Sequence, residues 1–153
     1  MLIENINVVI DYDMWDEDTV NILDYVLGFR NPRRSMTAFI DNIDDIESNT
    51  NSTELVALLL TKTYIRAYQP GEQLVNEYRE LFKQYKSYLP QITENITVYR
   101  GMHDVAAANG ISWTTSKEIA ATFGSTVIER QATPAECLCF IGGTEQEIIC
   151  DFT

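Results

Sequence analysis

Apolar residues recur every three or four positions through the first part of the chain, between about residues 12 and 88. This is the period of an α-helix with one buried face. The first such set, Val20 to Leu27, is preceded by Asp16, whose side chain suits a helix N-cap, and followed by Gly28, which favours a helix end. The pattern predicts a first helix between these two residues and further helices after it.

Three more helices are predicted from the residues that start and stop them. Pro32 suits the first turn of a helix, because its missing N–H would have no partner there. The polar run 48–52 predicts a loop, and Asn51 with Glu54 resembles a capping box ahead of a third helix, which we expect to be the most buried. Pro70-Gly71 then predicts the start of a fourth helix.

The pattern changes after Pro90, where the apolar segments become short, rich in β-branched and aromatic residues, and bounded by glycine or proline. Thr115 and Glu118 form a second capping pattern, which predicts a short helix over residues 116–123. Gly142-Gly143 predicts a tight turn between the last two strands. The predicted strands cover residues 96–99, 127–130, 135–141 and 146–152.

The length and the order of these elements predict the fold class. A chain of 153 residues buries about two-thirds of its unfolded surface when it folds as one unit. Helices first and strands second predict an α+β fold, with a helical part at about 12–88 and a β-rich part at about 96–153. We therefore expect a single domain over residues 1–153.

The chain is strongly acidic, since 11 Lys and Arg stand against 23 Asp and Glu for a net charge of −12. Such a surface repels nucleic-acid phosphates and anionic membranes and favours basic protein partners, although solubility alone would also explain it. The longest aliphatic run, Leu55 to Leu60, is too short to span a bilayer, and residues 1–30 hold no apolar signal region. We expect a cytoplasmic protein that binds neither nucleic acid nor membrane.

The metal-binding residue types do not form a metal-binding pattern. Cys137, Cys139 and Cys150 lie in apolar strand-like runs, which predicts reduced and buried thiols. Cys137 and Cys139 have the spacing of a strand and not of a zinc knuckle, so His103 does not complete a zinc site. The acidic run that begins at Asp11 lacks the Gly and the Glu of a calcium loop. We predict no metal.

Three polar signatures lie beside apolar runs in the last third of the chain. Each places ionisable or hydroxyl side chains at the end of a β-like segment, where a sheet can direct several of them into one cleft. The signatures are Val98-Tyr99-Arg100-Gly101, Ile111-Ser112-Trp113-Thr114-Thr115 and Glu145-Gln146-Glu147-Ile148-Ile149.

In this order, the signatures resemble the motifs of mono-ADP-ribosyltransferases of the Arg-Ser-Glu class, which carry an aromatic-Arg strand, a Ser-Thr-Ser strand and a Glu-x-Glu pair. Phe123, eleven residues after Ser112, matches a Phe that lines the nicotinamide pocket in many clostridial-type toxins of this family. The motifs are most similar in style to those of small phage and prophage proteins. The resemblance covers residues 97–152, and implies a helical part followed by a split sheet, mixed or antiparallel, that binds NAD as a substrate.

The resemblance also implies a role for each matching residue. Glu147 would be the catalytic carboxylate, because positive charge develops on the ribose as nicotinamide leaves. Arg100 would bind the pyrophosphate of NAD through its forked guanidinium, with Tyr99 and Gly101 beside it. Ser112 would hydrogen-bond Glu147 and hold its rotamer.

The second signature departs from the family pattern. Trp113 stands where the family has Thr and Thr114 where it has the final Ser, and with Phe123 these residues complete the predicted NAD contacts. The register Thr114-Thr115-Ser116 is an alternative, which would lose the spacing to Phe123. No Lys or Arg directly follows Phe123, so phosphate contacts there would come from Arg130 or the backbone.

Glu145 indicates which residue type would accept the ADP-ribose. On a regular strand Glu145 and Glu147 would both face the cleft, with Gln146 pointing away. In the family a Glu at this position accompanies arginine acceptors, and it would bind the guanidinium and accept its proton. The same two carboxylates on a solvated strand edge would have no such role.

Three classes of function follow. The first is an NAD-dependent mono-ADP-ribosyltransferase that modifies an exposed arginine on a protein with a basic surface, with NAD glycohydrolysis as a side reaction. The second is an inactive relative that binds and inhibits a host protein through its acidic surface. The third is an acidic interaction domain whose motifs coincide by chance. By analogy with the phage proteins, the target would be a bacterial host protein, reached in the cytoplasm of the bacterial cell or infected host.

Overall fold

The computed structural model describes residues 10–67, 70–103 and 110–153. The chain divides into two compact units, residues 1–88 and 89–153. In chain order the described elements are α1 (Glu17–Leu27), α2 (Pro32–Thr50), α3 (Thr53–Ile65), α4 (Glu72–Tyr85), β1 (Ile96–Met102), β2 (Ser112–Thr114), α5 (Lys117–Phe123), β3 (Thr126–Ala132), β4 (Cys137–Gly142) and β5 (Glu147–Cys150). The predicted α+β class, with helices before the sheet in the sequence, is confirmed.

The first two helices begin where the sequence predicts. The Asp16 side chain accepts a hydrogen bond of 2.7 Å from the backbone N–H of Thr19 at the start of α1. Pro32 occupies the first position of α2, behind Asn31 as the N-cap. Gly28 follows α1 directly as its C-cap.

The connection between α2 and α3 differs from the prediction. Residues 48–50, predicted as loop, form the last turn of α2, and Asn51 ends that helix in a left-handed conformation with φ of 50°. Ser52, and not Asn51, is the N-cap of α3, since its hydroxyl accepts a hydrogen bond from the N–H of Leu55. Asn tolerates the left-handed region better than most residues, which explains why it lies at this junction.

The third helix is buried on nearly all sides, with nine of its 13 residues inaccessible, as expected. It contacts both α2 and α4. Tyr78 of α4 places its hydroxyl 2.6 Å from the Thr63 hydroxyl of α3, so this buried polar pair is satisfied within the core. No helix in the described ranges combines the length and the apolar character needed to cross a lipid bilayer.

The five described strands of the second unit form one sheet in the order β3-β1-β2-β5-β4, with every neighbouring pair antiparallel. β1 pairs with β3 along its whole length. β5 pairs with β2 on one side and with β4 on the other, and we call these two groups of strands the β3–β1 ladder and the β2–β5–β4 ladder. Between β1 and β2, however, the register contains a single residue pair, Tyr99 with Thr114. We call this narrow junction between the two ladders the seam.

One face of the sheet is covered by an apolar core. Trp113 lies at its centre, 3% exposed, and the ring of Phe152 meets it edge-on at a centroid distance of 5.0 Å. The other buried members of this cluster are Val98, Ala132, Cys137, Ile148 and Cys150. The three cysteines are reduced and buried, in agreement with the sequence expectation.

The helix α5 packs directly on β1. A Cβ added to Gly101 would overlap the carbonyl oxygen of Ala120 in α5, and one added to Gly124 would overlap the backbone of Met102. The short helix begins at Lys117, one residue later than predicted, because Ser116 is its N-cap and accepts a hydrogen bond from the N–H of Ile119. Two glycines thus bring helix and strand backbones into contact.

The last two strands are shorter than predicted. The strand predicted from residue 135 begins at Cys137, because Thr133 to Glu136 form a turn in which the Thr133 carbonyl accepts from the N–H groups of Glu136 and Cys137. The strand predicted from Gln146 begins at Glu147. Gly142 and Gly143 both have φ of 73°, and residues 143–146 form the connecting turn.

Candidate functional site

Ser112 and Glu147 meet across β2 and β5. The Ser112 hydroxyl donates a hydrogen bond to Oε2 of the Glu147 carboxylate. The sheet register produces this contact, since Thr114 pairs with Glu147 and Ser112 with Ile149, so that the side chains of Ser112 and Glu147 leave the same face of neighbouring strands. In the alternative register, Thr114-Thr115-Ser116, the end residues bond elsewhere. The Thr114 hydroxyl donates to the Glu145 carbonyl, and the Ser116 hydroxyl accepts from the N–H of Ile119. The contact with the carboxylate is therefore made in the register that begins at Ser112.

Arg100, on β1, contacts the backbone of β2. Its guanidinium Nη1 donates a hydrogen bond of 2.6 Å to the carbonyl oxygen of Ser112, across the seam. The backbone of Gly110 lies against the guanidinium, so closely that an added Cβ would overlap it. Arg100 therefore has a fixed position where the two ladders meet, beside the strand that carries Ser112.

The electrostatics of Glu147 reflect its position in the fold. Burial raises the pKa of the Glu147 carboxyl above its ordinary value, and the negative charge of Glu145 adds to that rise. The hydrogen bond from Ser112 and the positive charge of Arg100 act in the opposite direction, because both favour the ionised form. Ser112, Arg100 and Glu145 thus all affect the pKa of the partly buried Glu147 carboxyl.

Glu145 does not lie on the same strand as Glu147. It is exposed in the turn before β5, and Gln146 has a left-handed backbone with φ of 48°, which breaks the strand alternation assumed from the sequence. The Gln146 side chain accepts a hydrogen bond of 2.9 Å from the hydroxyl of Thr115. The two carboxylates are near enough for the charge of Glu145 to raise the pKa of Glu147, but Glu145 is exposed whereas Glu147 is partly buried.

Tyr99, Gly101 and Thr114 surround this group on β1 and β2. The register pairs Tyr99 with Thr114 and Thr114 with Glu147. Tyr99, Thr114 and Glu147 therefore share a face of the sheet. The Thr114 hydroxyl donates to the carbonyl oxygen of Glu145 at 2.8 Å. The close approach that Gly101 allows is made by α5, through the carbonyl oxygen of Ala120.

Trp113 and Arg130 contact the apolar core of the sheet, and Phe123 is the last residue of α5. The Trp113 ring belongs to the apolar core on the opposite face, as the alternation Ser112-Trp113-Thr114 requires of a strand. Phe123 is half-buried at the end of α5. The Arg130 guanidinium lies over the Phe152 ring at 4.1 Å, in a cation–π contact. The side chains of Trp113 and Arg130 thus contribute to the core side of the sheet.

Three residues near the site were given no role in it by the sequence analysis. Gly110 borders the Arg100 guanidinium, and Thr115 and Gln146 connect the end of β2 to the turn before β5. A glycine directly before an apolar strand start was the only signal for Gly110. In the described part of the chain, His, Cys, Asp and Glu side chains form no group of three or more that is placed to hold a metal ion.

Comparisons with known proteins give no relative for this chain: no family model matches it, and neither a curated protein nor a solved structure does.

Proposed function

We propose that this chain is an NAD-dependent mono-ADP-ribosyltransferase that modifies an arginine of a protein acceptor in a bacterial cytoplasm. The observation that carries the proposal is the contact of the Ser112 hydroxyl with a largely buried Glu147 carboxylate, beside the fixed guanidinium of Arg100. These residues come from β5, β2 and β1, and they are the ones that the motif resemblance singles out. Their meeting is what a site built from the three signatures requires.

The chemistry fits a buried carboxylate. When the bond between C1′ of the ribose and the nicotinamide nitrogen breaks, the bonding electrons leave with neutral nicotinamide and positive charge develops on the sugar. A carboxylate held in a water-poor place stabilises that charge more strongly than a solvated one. Ser112 fixes the rotamer of Glu147 and favours its ionised form, which offsets part of the effect of burial on its pKa.

Arg100 provides the positive charge that an anionic substrate needs. Nη1 is held by the Ser112 carbonyl at 2.6 Å, and the guanidinium lies within electrostatic reach of Glu147. A fixed guanidinium binds a pyrophosphate with little loss of side-chain entropy. In a chain of net charge −12, such a local cation is also needed to receive a dinucleotide at all.

Two further features support the proposal. The order of a helical part before a sheet that divides into two ladders at the seam agrees with the split sheet of the ADP-ribosyltransferase type. The exposed carboxylate of Glu145 lies within electrostatic reach of Glu147, where an arginine side chain of a protein would approach from solvent. Transfer forms a bond between C1′ and a guanidinium nitrogen, and the proton of that nitrogen passes to Glu145.

The test is to incubate the purified chain with NAD, with and without a bacterial lysate, and to measure released nicotinamide and labelled protein. Replacement of Glu147 by Gln keeps the shape of the side chain and removes its charge, so nicotinamide release should fall about 100-fold or more. Glu94→Gln is the matched control, since Glu94 is an exposed glutamate in the loop before β1 and the substitution changes the net charge equally.

Two results would count against the proposal. Equal turnover by wild type and Glu147→Gln would remove the catalytic assignment. Absence of both nicotinamide release and labelled protein from the wild type would reject the enzyme and favour an acidic protein that inhibits its partner by binding.

A further inference from the structure

We infer that Thr115 and Gln146 act as positioning residues, which hold the Glu145 carboxylate where it selects an arginine side chain over water as the acceptor. The inference rests on the proposed function and extends it to two residues outside the three motifs' functional positions. We call them the Thr115–Gln146 pair.

The pair is joined through both main chain and side chain. The N–H of Thr115 donates to the carbonyl oxygen of Gln146 at 3.1 Å, and the Thr115 hydroxyl donates to Oε1 of the Gln146 side chain at 2.9 Å. Both bonds link the residue that follows β2 to the residue that precedes β5. A single threonine therefore fixes the backbone and the side chain of one turn residue.

The conformation that these bonds hold is one that the chain would not adopt readily. Gln146 has φ of 48°, in the left-handed region that non-glycine residues seldom occupy. Gly142, the last residue of β4, and Gly143, the first residue of the turn, each have φ of 73°, and glycines leave an unanchored chain free to take many conformations. The Gln146 N–H also donates to the Gly143 carbonyl at 3.2 Å, but that bond lies within the turn itself. Without the two Thr115 bonds, the segment from Gly143 to Gln146 would lose the contacts that tie its strained end to β2.

Two consecutive carbonyl groups, those of Glu145 and Gln146, are held by hydrogen bonds. The Glu145 carbonyl oxygen accepts from the Thr114 hydroxyl at 2.8 Å, and the next carbonyl, that of Gln146, accepts from the Thr115 N–H. The left-handed residue after it turns the Glu145 side chain out to solvent, while Glu147 enters the sheet and is largely buried. The Thr115–Gln146 pair thus separates the two carboxylates into an outer and an inner position.

This separation has a chemical consequence. Hydrolysis of NAD requires the inner carboxylate and a water molecule, which needs no oriented partner. Transfer to arginine also requires an outer carboxylate at a defined place, because a guanidinium pairs with a carboxylate in a fixed, two-pronged geometry. Loosening the turn should therefore weaken transfer more than hydrolysis.

The experiment compares the two reactions in a set of variants, with a synthetic arginine-containing peptide as the acceptor. Thr115→Val keeps the size of the side chain and the backbone N–H but removes the hydroxyl; Gln146→Gly removes the accepting side chain and adopts positive φ freely. We expect each to raise KM for the peptide about 3- to 10-fold, the loss that one hydrogen bond produces, with a smaller change in nicotinamide release without peptide. Thr115→Ser, which restores the hydroxyl, should recover most of the peptide affinity.

Thr97→Val is the matched control. It also removes a threonine hydroxyl that takes part in a cross-strand hydrogen bond, the one from Gln131 Nε2 at 2.6 Å between β1 and β3. This variant should leave the ratio of transfer to hydrolysis at the wild-type value.

The outcomes separate the inference from the proposed function. If the wild type releases nicotinamide and Thr115→Val keeps the wild-type ratio of transfer to hydrolysis, the inference is wrong and the proposed function stands. If Thr115→Ser is as impaired as Thr115→Val, the hydroxyl is not the positioning group and the inference is again overturned. If the wild type releases no nicotinamide, the proposed function fails and the inference fails with it.

Discussion

The contact of Ser112 with Glu147 should be measurable as a coupling energy without any substrate. The perturbation is a double-mutant cycle in which Ser112→Ala removes the donor, Glu147→Gln removes the charge, and the double variant removes both. Each single substitution leaves the size of the side chain nearly unchanged. Because the amide oxygen of Gln can still accept from Ser112, the cycle measures how much the bond to the charged carboxylate exceeds the bond to a neutral acceptor.

The expected magnitude follows from the burial of the carboxylate. A hydrogen bond to a charged group contributes about 1.5–3 kcal/mol, and one between neutral groups about 0.5–1.5 kcal/mol. Water replaces the Ser112 hydroxyl poorly beside a partly buried carboxylate, so we expect a coupling of about 1 kcal/mol at a pH above the pKa of Glu147.

The sign of the pH dependence follows from the raised pKa. Burial makes the pKa of Glu147 higher in the folded than in the unfolded state, so the folded protein binds the proton more tightly and loses stability as pH rises through that pKa. Glu147→Gln should therefore stabilise the protein at pH 8 relative to its effect at pH 4. The Ser112 bond favours the ionised form, so its contribution is present above the pKa and declines toward about 1 kcal/mol or less as Glu147 is protonated.

The assay is urea unfolding followed by tryptophan fluorescence. The chain has two tryptophans, and a Trp15→Phe background leaves Trp113, in the core of the second unit, as the only reporter. A parallel cycle on Thr97 and Gln131, an exposed neutral pair, should give a small coupling that does not change with pH. A Ser112–Glu147 coupling below about 0.5 kcal/mol at pH 8, or one equal at pH 4 and pH 8, would refute the reasoning.

Three further predictions concern the neighbours of this pair. Glu145→Gln should abolish the labelling of arginine in protein while NAD hydrolysis continues, as autoradiography and nicotinamide release can show together; equal loss of both would place Glu145 beside the ribose. Arg100→Lys should raise the dissociation constant for NAD in calorimetry while the melting temperature falls by only a few degrees, because Lys keeps a charge and a donor for the Ser112 carbonyl; a collapse of the fold would make Arg100 structural. Gly101→Ala should destabilise the second unit by about 3 kcal/mol in urea, since its Cβ would overlap the Ala120 carbonyl, whereas an unchanged midpoint would show that α5 moves away.

Much of the fold was predictable because local signals and burial agree. The helices of the first unit carry apolar positions at helical spacing, and two of them begin at caps that act within their own turn, Asp16 and Asn31. The junction at Asn51 was mispredicted because a cap and a left-handed helix end both favour Asn, and only the chain on either side decides between them.

The site was predictable in its members but not in its geometry. Ser112 and Glu147 are 35 positions apart, and only the antiparallel register of β2 with β5 brings them into contact. Strict alternation would have placed Trp113 on the face opposite Ser112, so its core position was available from the sequence. The place of Glu145 was not, because the left-handed residue Gln146 depends on bonds to Thr115 that no local pattern encodes.

The seam has a consequence for how the second unit opens. The other neighbouring strands of the sheet are joined by three or more residue pairs. β1 and β2 are joined by one residue pair and by the hydrogen bond from Arg100 to Ser112. The β3–β1 and β2–β5–β4 ladders can therefore act as separate cooperative units in native-state hydrogen exchange, with the amides at their junction exchanging through openings much smaller than global unfolding. A ligand that contacts Arg100 on one ladder and Ser112 or Glu147 on the other would cross-link the two. Its binding would then slow the hydrogen exchange of backbone amides across the whole sheet, including amides that the ligand does not contact.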